Sequence, residues 1–431
     1  MFQESTKRGE AALSLDSASK QPVSLRSFLA ERGESLPVGK VKPPPKPDLP
    51  RPEDYSRPLL KPADHVTDAH LPPEAPRFLT REEYNLHLIE PINFLASSRQ
   101  YLDHLLPIWQ ALPYSRRGIF FVAANFNMTN GEDLYSYALQ KEIEGLCPFY
   151  DYPVARGPLV VAGYGDLIYS LYVHDRPVCL TEHGVGRYIP GGFNPGYSGG
   201  TGLRALVGLF MCPNTTSAKR NQETFPDARV RTIGYPKMDR YAGINKKPMG
   251  IPPVIAVTTH WDCEKTDFMR SGLDEFLPAI KRLKEHFEVI GTGHPRDFEK
   301  IKAKFEGLNI PVYRDLETIF EKADLLVGDF TSAVDEFAFL GRPVVRYCTK
   351  AAATANEGAF FESKRPGIVV YRHEDLLPAV NMSLRDPEAL QTQRKEAVEA
   401  AFTYTDGKSA HRAVEALIEW TEEKWLPPQT T

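Results

Sequence analysis

Short apolar runs separated by stretches of helical spacing set the reading of this chain. Gly118-Ile-Phe-Phe-Val-Ala-Ala124, Leu159-Val-Val-Ala-Gly163 and Pro177-Val-Cys-Leu-Thr181 are apolar throughout and too short for helices, as strands buried on both faces are. Ala205 to Cys212 is a fourth strand or a helix leading into one, and Glu132 to Ile143 is helical. A second series starts near residue 253. Val254–Thr259, Phe287–Thr292, Ile310–Tyr313, Ala323–Asp329 and Gly341–Tyr347 are its strands. Leu273–Phe287, the segment around Phe298 to Phe305, and Leu316–Lys322 are its helices. Residues 389–425 read as two helices split near Tyr404-Thr-Asp-Gly407. Strands alternating with helices predict parallel sheets covered on both faces, and no repeat of solenoid period interrupts them.

Four segments follow from this pattern. Residues 1–76 form a Pro-rich leader, because the prolines from Pro43 onward remove donors and fix φ, which excludes helix and interior strand. Within it, Ser24-Leu-Arg-Ser-Phe-Leu-Ala-Glu-Arg32 has amphipathic spacing, and a disordered leader is the expectation over a docking helix. Residues 77–245 and 246–385 are two Rossmann-like, doubly wound α/β domains, and residues 386–431 are helices expected to pack back across them. In such sheets ligands bind outside the carboxyl ends of the strands. The unusual residues of this chain stand just after its strands.

Composition narrows the class. A net charge of −4 over 431 residues lacks the strongly basic surface that nucleic-acid binding leaves. The five cysteines, Cys147, Cys179, Cys212, Cys263 and Cys348, form no C-x-x-C pair, so neither a zinc knuckle nor a disulfide framework is expected. No apolar run reaches the roughly 18 residues that span a bilayer, and the first ten residues lack the apolar core of a signal peptide. A cytoplasmic location is expected, with peripheral contact to the inner face of the membrane left open.

Three strand ends carry candidate chemistry. In the first, β-like Ala323–Gly328 leads into Asp329-Phe330-Thr331-Ser332 and then an apolar helix. Free amides at a helix start and two hydroxyls suit a diphosphate; a simple cap by Asp329 or Thr331 explains the same residues equally well. In the second, His294 follows a strand between Gly293 and Pro295, placed to donate to a phosphate oxygen. In the third, His183 precedes Gly184 after another strand, as a base for an acceptor hydroxyl, with Glu182 to orient or tune it. Pro190–Gly202 is glycine-rich and reads as a mobile loop. His260, the Gly234-Tyr235-Pro236-Lys237-Met238-Asp239 junction and Thr405–Arg412 are weaker signals, each more often structural.

In order along the chain, these segments resemble the CDP-glycerol glycerophosphotransferases, the teichoic-acid primases and polymerases. That family places His-Gly after a strand, then Gly-Tyr-Pro-Arg-x-Asp, an Ala-Pro-Thr-Trp-like turn, His-Pro and Asp-Tyr-Ser-Ser. Arg-Pro-Val, Pro-Gly and Asp-Gly-Lys-Ala-Ser-x-Arg follow. The counterparts are His183-Gly184, Gly234–Asp239, Thr258–Trp261, His294-Pro295, Asp329–Ser332, Arg342–Val344, Pro366-Gly367 and Asp406–Arg412, over roughly residues 160–420. The resemblance implies a GT-B fold and transfer of a polyol phosphate from a CDP-activated donor to an acceptor hydroxyl, releasing CMP, with no metal or cofactor. It implies a catalytic group of His183, Glu182 and His294. Its donor-binding group is His260, His294, Asp329, Thr331, Ser332, Glu336, Ser409 and Arg412, and Gly234, Tyr235, Pro236 and Asp239 form the domain junction. The family's usual Trp-His-Gly-Thr-Pro is replaced here by Glu182-His183-Gly184-Val185-Gly186, with Arg187 nearly alone among the expected basic residues, so a different acceptor is expected.

Two other readings stand beside this one. Leu340-Gly-Arg-Pro-Val344 also resembles a run in UDP-N-acetylglucosamine 2-epimerases, so a GT-B sugar transferase or epimerase relative is the first. Thr331-Ser332 in place of a Gly-Gly pair speaks against it. The second is a non-catalytic binding protein whose Pro-rich leader recruits a protein partner. The expected partners are a nucleotide-activated donor and a polyol or glycan acceptor, with no nucleic acid.

Overall fold

The computed structural model describes residues 91–123, 134–148, 157–167, 178–185, 202–244, 249–262, 271–349 and 365–425. The Pro-rich leader, the Ser24 stretch, Arg187, most of the glycine-rich segment from Pro190, and Cys263 lie outside them.

The first apolar series builds a sheet of seven parallel strands. They are β1 (Ile92–Ala96), β2 (Arg117–Val122), β3 (Leu146–Pro148), β4 (Leu159–Val161), β5 (Val178–Thr181), β6 (Val207–Cys212) and β7 (Arg229–Thr232). Helices α1 (Arg99–Ala111), α2 (Leu134–Gln140) and α3 (Thr215–Thr224) connect them. Successive strand residues face opposite sides. Phe94 therefore packs against Trp109 of α1, with ring centroids 5.3 Å apart, while Leu95 joins Phe121, Leu180 and Phe210 on the other face. Truncating a buried ring such as Phe94 to alanine costs about 3–5 kcal/mol.

The second series builds a sheet of five parallel strands: β8 (Val254–Val257), β9 (Glu288–Gly291), β10 (Leu325–Gly328), β11 (Val344–Tyr347) and β12 (Ile368–Val370). Helices α4 (Leu273–Lys284), α5 (Phe298–Glu306), α6 (Leu316–Lys322), α7 (Ala333–Phe339) and α8 (Leu376–Arg385) accompany it. The chain closes with α9 (Gln391–Phe402), which packs on α7, and α10 (Ser409–Trp425), which packs on α1 and β6. Among the described residues no helix is long and apolar enough to cross a membrane. Cys147, Cys179, Cys212 and Cys348 are buried and form no disulfide with one another.

Strand order fixes where ligands can bind. The first sheet runs β3-β2-β1-β4-β5-β6-β7, so its connections reverse direction between β1 and β4. The second runs β12-β11-β10-β8-β9 and reverses between β8 and β10. Crevices open at the carboxyl ends of the strands at such reversals.

Several elements differ from expectation. The segment Ile310–Tyr313 makes only an isolated bridge, Val312 to Gly291, because Pro311 has no amide to donate. β1 carries a polar residue in a buried strand: the Asn93 side chain accepts from the Ile119 amide at 2.9 Å and donates to the Pro158 carbonyl. β7 is an edge strand whose Arg229 and Arg231 stay in contact with solvent, so it shows no apolar run.

Candidate functional site

β5 ends in Thr181, and the next residues turn out of the sheet as Glu182-His183-Gly184-Val185. The pleat sends Glu182 and His183 to opposite sides. His183 Nδ1 lies 2.7 Å from the Ala162 carbonyl oxygen at the end of β4. A carbonyl only accepts, so Nδ1 carries the proton and Nε2 presents its lone pair. Burial holds the imidazole below its ordinary pKa of 6.5, against the opposing pull of the Ala162 bond and of Glu182. The ring is flanked by Tyr101 at 4.9 Å, Tyr164 at 6.0 Å and His104 at 6.4 Å between centroids. A neutral, anchored imidazole with a free Nε2 is the form that accepts a proton near neutral pH.

The expectation that Glu182 orients His183 is corrected. Its buried carboxylate accepts from Ser217 and, at 2.9 and 2.8 Å, from Arg220 and Asn221, all on α3. Glu182 fastens α3 to the end of β5 and makes no hydrogen bond to the imidazole.

The second sheet contributes three strand ends. Asp329, after β10, is 1% exposed and accepts from Thr259 Oγ1 at 2.7 Å, the His260 amide at 2.9 Å and the Thr331 amide at 3.2 Å. Burial nevertheless pushes its carboxyl up, over the lowering effect of those donors. Asp329 therefore ties the β8 turn to the β10 turn across the reversal point, and is not presented as a ligand group. Thr331 Oγ1 accepts from the Ala333 amide at 3.4 Å, and the Thr331 carbonyl from Val334 at 3.3 Å. α7 has only seven residues and its first amides are occupied in this way, so the expected open helix start narrows to Ser332, for whose side chain no hydrogen bond is found among the described residues.

His260 and His294 stand beside this turn. Their rings are 5.1 Å apart, and His260 lies 4.4 Å from Phe330. His260 Nδ1 faces the Trp261 carbonyl at 3.0 Å and so carries its proton there. His294 is the reverse: its Nδ1 accepts from the Arg296 amide at 3.2 Å, so the neutral ring carries its proton on Nε2 and offers it as a donor. Burial pushes His260 down to about 3, with the charges of Arg365 and Arg296 adding to the fall. Burial also takes His294 well below 6.5, helped by His260, His183 and Arg296.

The two sets of strand ends meet. A Cβ on Gly184 would stand 3.3 Å from Ser332 Oγ. Val185, one residue on, is buried in an apolar cluster with Ala256, Ile290 and Val334 of the second half. Asn214 caps α3 by accepting from Ser217, and its amide donates to Val185 at 2.6 Å and to Ala401 of α9 at 2.8 Å. Tyr235 Oη lies 3.2 Å from the His183 carbonyl, 3.1 Å from Glu336 Oε1 and 3.4 Å from His104 Nε2.

Three residues assigned to the donor have other partners. Glu336 is held by Lys237 at 2.7 Å and by Tyr235, which makes it a link between α7 and the junction. The Ser409 amide donates to Asp239 at 3.0 Å, and Ala410 adds a second bond at 2.7 Å, so Asp239 caps α10. Gly234, at φ +88, leaves no room for a side chain against Ser409, and Pro236 opens the short turn that carries Lys237. Arg412 pairs with Asp406 at 3.0 Å and lies on the Tyr404 ring. Tyr101 and His104, three apart on α1, were not anticipated because β1 and α1 were not; Arg296 lies over the Trp261 ring at 4.3 Å and was not anticipated either. Among the described residues no three His, Cys, Asp or Glu side chains converge on a metal-sized site.

Comparison with known proteins gives the frame. Residues 207–419 match the family model described as CDP-Glycerol:Poly(glycerophosphate) glycerophosphotransferase. This stretch includes the β8, β9 and β10 ends and begins after His183, whose place in the site rests on the geometry above. No curated protein matches the chain. The wall teichoic acid polymerase TagF is similar in structure, with a TM-score of 0.52 at 16% identity over 78% of this chain and 90% of that one. A UDP-N-acetylglucosamine 2-epimerase from Listeria monocytogenes, described as putative, gives 0.54 at 14% identity over 78% and 98%. S. aureus MnaA in a co-structure with UDP gives 0.52 at 15% identity over 77% and 97%. At these identities the likeness is one of fold: two parallel α/β sheets of the GT-B type. Over residues 207–419, just under half of its length, the chain matches the CDP-glycerol:poly(glycerophosphate) glycerophosphotransferase family.

Proposed function

We propose that the chain moves a polyol phosphate, of the glycerol phosphate kind, from a CDP-activated donor to an acceptor hydroxyl and releases CMP. The observation that carries this reading is the placement of His183, a neutral imidazole with Nε2 free, one residue from the point where Gly184 meets Ser332. The acceptor hydroxyl gives its proton to His183 Nε2 as its oxygen attacks the distal phosphorus of the diphosphate. The bridging oxygen leaves with CMP. His294 Nε2–H and the Ser332 hydroxyl are donors to the phosphate oxygens on the opposite side. Positioning and charge stabilisation supply the rate enhancement. A TagF variant soaked with CDPG, similar to this chain at a TM-score of 0.51, supports a cytidine donor by analogy.

The fold is shared equally with the Listeria protein described as a UDP-N-acetylglucosamine 2-epimerase and with MnaA in its co-structure with UDP, which makes a UDP-sugar the competing donor. Incubating the protein with CDP-glycerol, CDP-ribitol and UDP-N-acetylglucosamine, with polyol phosphate and glycan acceptors, and resolving the released nucleotides decides between them. CMP from a CDP-alditol is expected. Products from the UDP-sugar alone overturn the reading.

A further inference from the structure

A pyrophosphate diester is a dianion, and the histidines around the proposed donor site are neutral. Two cations act on His260, namely Arg365 and Arg296. Arg365 is buried, and its guanidinium is bonded to Asp335 at 3.2 Å and to the Phe330 carbonyl at 3.1 Å. Arg296 is exposed, and among the described residues its side chain has neither an ion pair nor a hydrogen bond. Its guanidinium carbon lies 4.3 Å from the centre of the Trp261 ring, and that ring is 5.5 Å from His260 and 6.4 Å from His294. The platform is fixed from below: the Asp262 amide donates to Asp297 at 2.8 Å, which joins the Trp261 loop to the turn bearing Arg296. The Arg296 amide meanwhile sets the His294 tautomer.

We propose that Arg296, laid on Trp261, is the cation that binds the donor's diphosphate, an assignment that rests on the nucleotide-diphosphate reading above. Stacking occupies the face of the guanidinium and leaves its edge N–H groups to pair with two phosphate oxygens. The ring also limits the freedom of a long exposed side chain, which lowers the entropy lost on binding. Lysine keeps the charge and loses both the fork and the planar stack.

Titration calorimetry of the full chain with CDP-glycerol, inorganic pyrophosphate and cytidine tests this, with Arg296→Gln, Arg296→Lys and Trp261→Leu as variants. Arg296→Gln is expected to weaken CDP-glycerol and pyrophosphate by about tenfold or more, and cytidine by less than about twofold. Arg296→Lys and Trp261→Leu are expected to fall between it and the parent. Unchanged pyrophosphate affinity in Arg296→Gln overturns the assignment, as does an equal loss for cytidine. If the parent binds pyrophosphate but not CDP-glycerol, the donor reading fails and the pyrophosphate series still decides the role of Arg296. If the parent binds neither, both fail.

Discussion

Gly184 and Ser332 come from different sheets, and a Cβ on the glycine would lie 3.3 Å from the serine hydroxyl. The turn after β5 and the turn after β10 thus face each other at contact distance. One side brings a neutral imidazole, and the other brings a hydroxyl with two further histidines beside it. An acceptor on the first side and a phosphate on the second would be neighbours.

Replacing Gly184 by alanine tests that contact. The separation is tighter than ordinary van der Waals packing, and Gly184 has no positive φ, so the added methyl acts on Ser332 and not on the backbone. Displacements below an ångström at a reacting centre are costly, and kcat for CMP release is expected to fall by about tenfold to a hundredfold. Thermal unfolding should be unchanged. A variant with full kcat contradicts the facing arrangement.

The pH dependence of kcat/KM follows from His183. The base works in its neutral form, and its folded pKa is depressed below 6.5. Activity is therefore full above pH 6.5 and is lost as pH falls through the lower, folded value. An acid limb centred at or above 6.5 contradicts this. Glu182→Gln separates the two roles considered for that residue. It weakens the bonds to Ser217, Arg220 and Asn221, at a cost of about 2 kcal/mol of stability, and it removes the carboxylate charge that raises the His183 pKa, so the acid limb moves to lower pH. A limb that stays in place contradicts the charge effect of Glu182 on His183.

Lys237 and Glu336 give a stability prediction. Their side chains are 10% and 4% exposed and 2.7 Å apart. Glu336→Ala leaves an ammonium buried without its partner, which costs about 3–5 kcal/mol. Pairing it with Lys237→Met removes the stranded charge and is expected to recover most of the loss. Calorimetric melting of the single and double variants checks this. An additive double variant contradicts it.

The sheets were legible where strands are buried on both faces. Val254–Val257 and Leu325–Gly328 are continuous apolar runs, and Leu273–Lys284 shows the spacing of a helix with one buried side. β1 and β7 were not legible, because Asn93 breaks one apolar run and the arginines of the edge strand break the other. At the site, His183, His294 and Ser332 stood out as polar groups just after apolar runs, and the structure brings them to the same crevice region. Glu182 stands out in the sequence by its place beside His183, and Glu336, Ser409 and Arg412 by the family resemblance. Which face a pleat or helix turns toward a partner decides their bonds instead, and a motif's spelling does not carry that.

The central claim is that His183 takes the acceptor's proton while the second half holds the donor. His183→Ala and Ser332→Ala, each assayed for CDP-glycerol affinity and for CMP release with acceptor present, test it most directly. The account predicts that His183→Ala binds CDP-glycerol as the parent does and releases CMP about a hundredfold to ten-thousandfold more slowly. Ser332→Ala is predicted to lose donor affinity. Parent-like CMP release by His183→Ala contradicts the account.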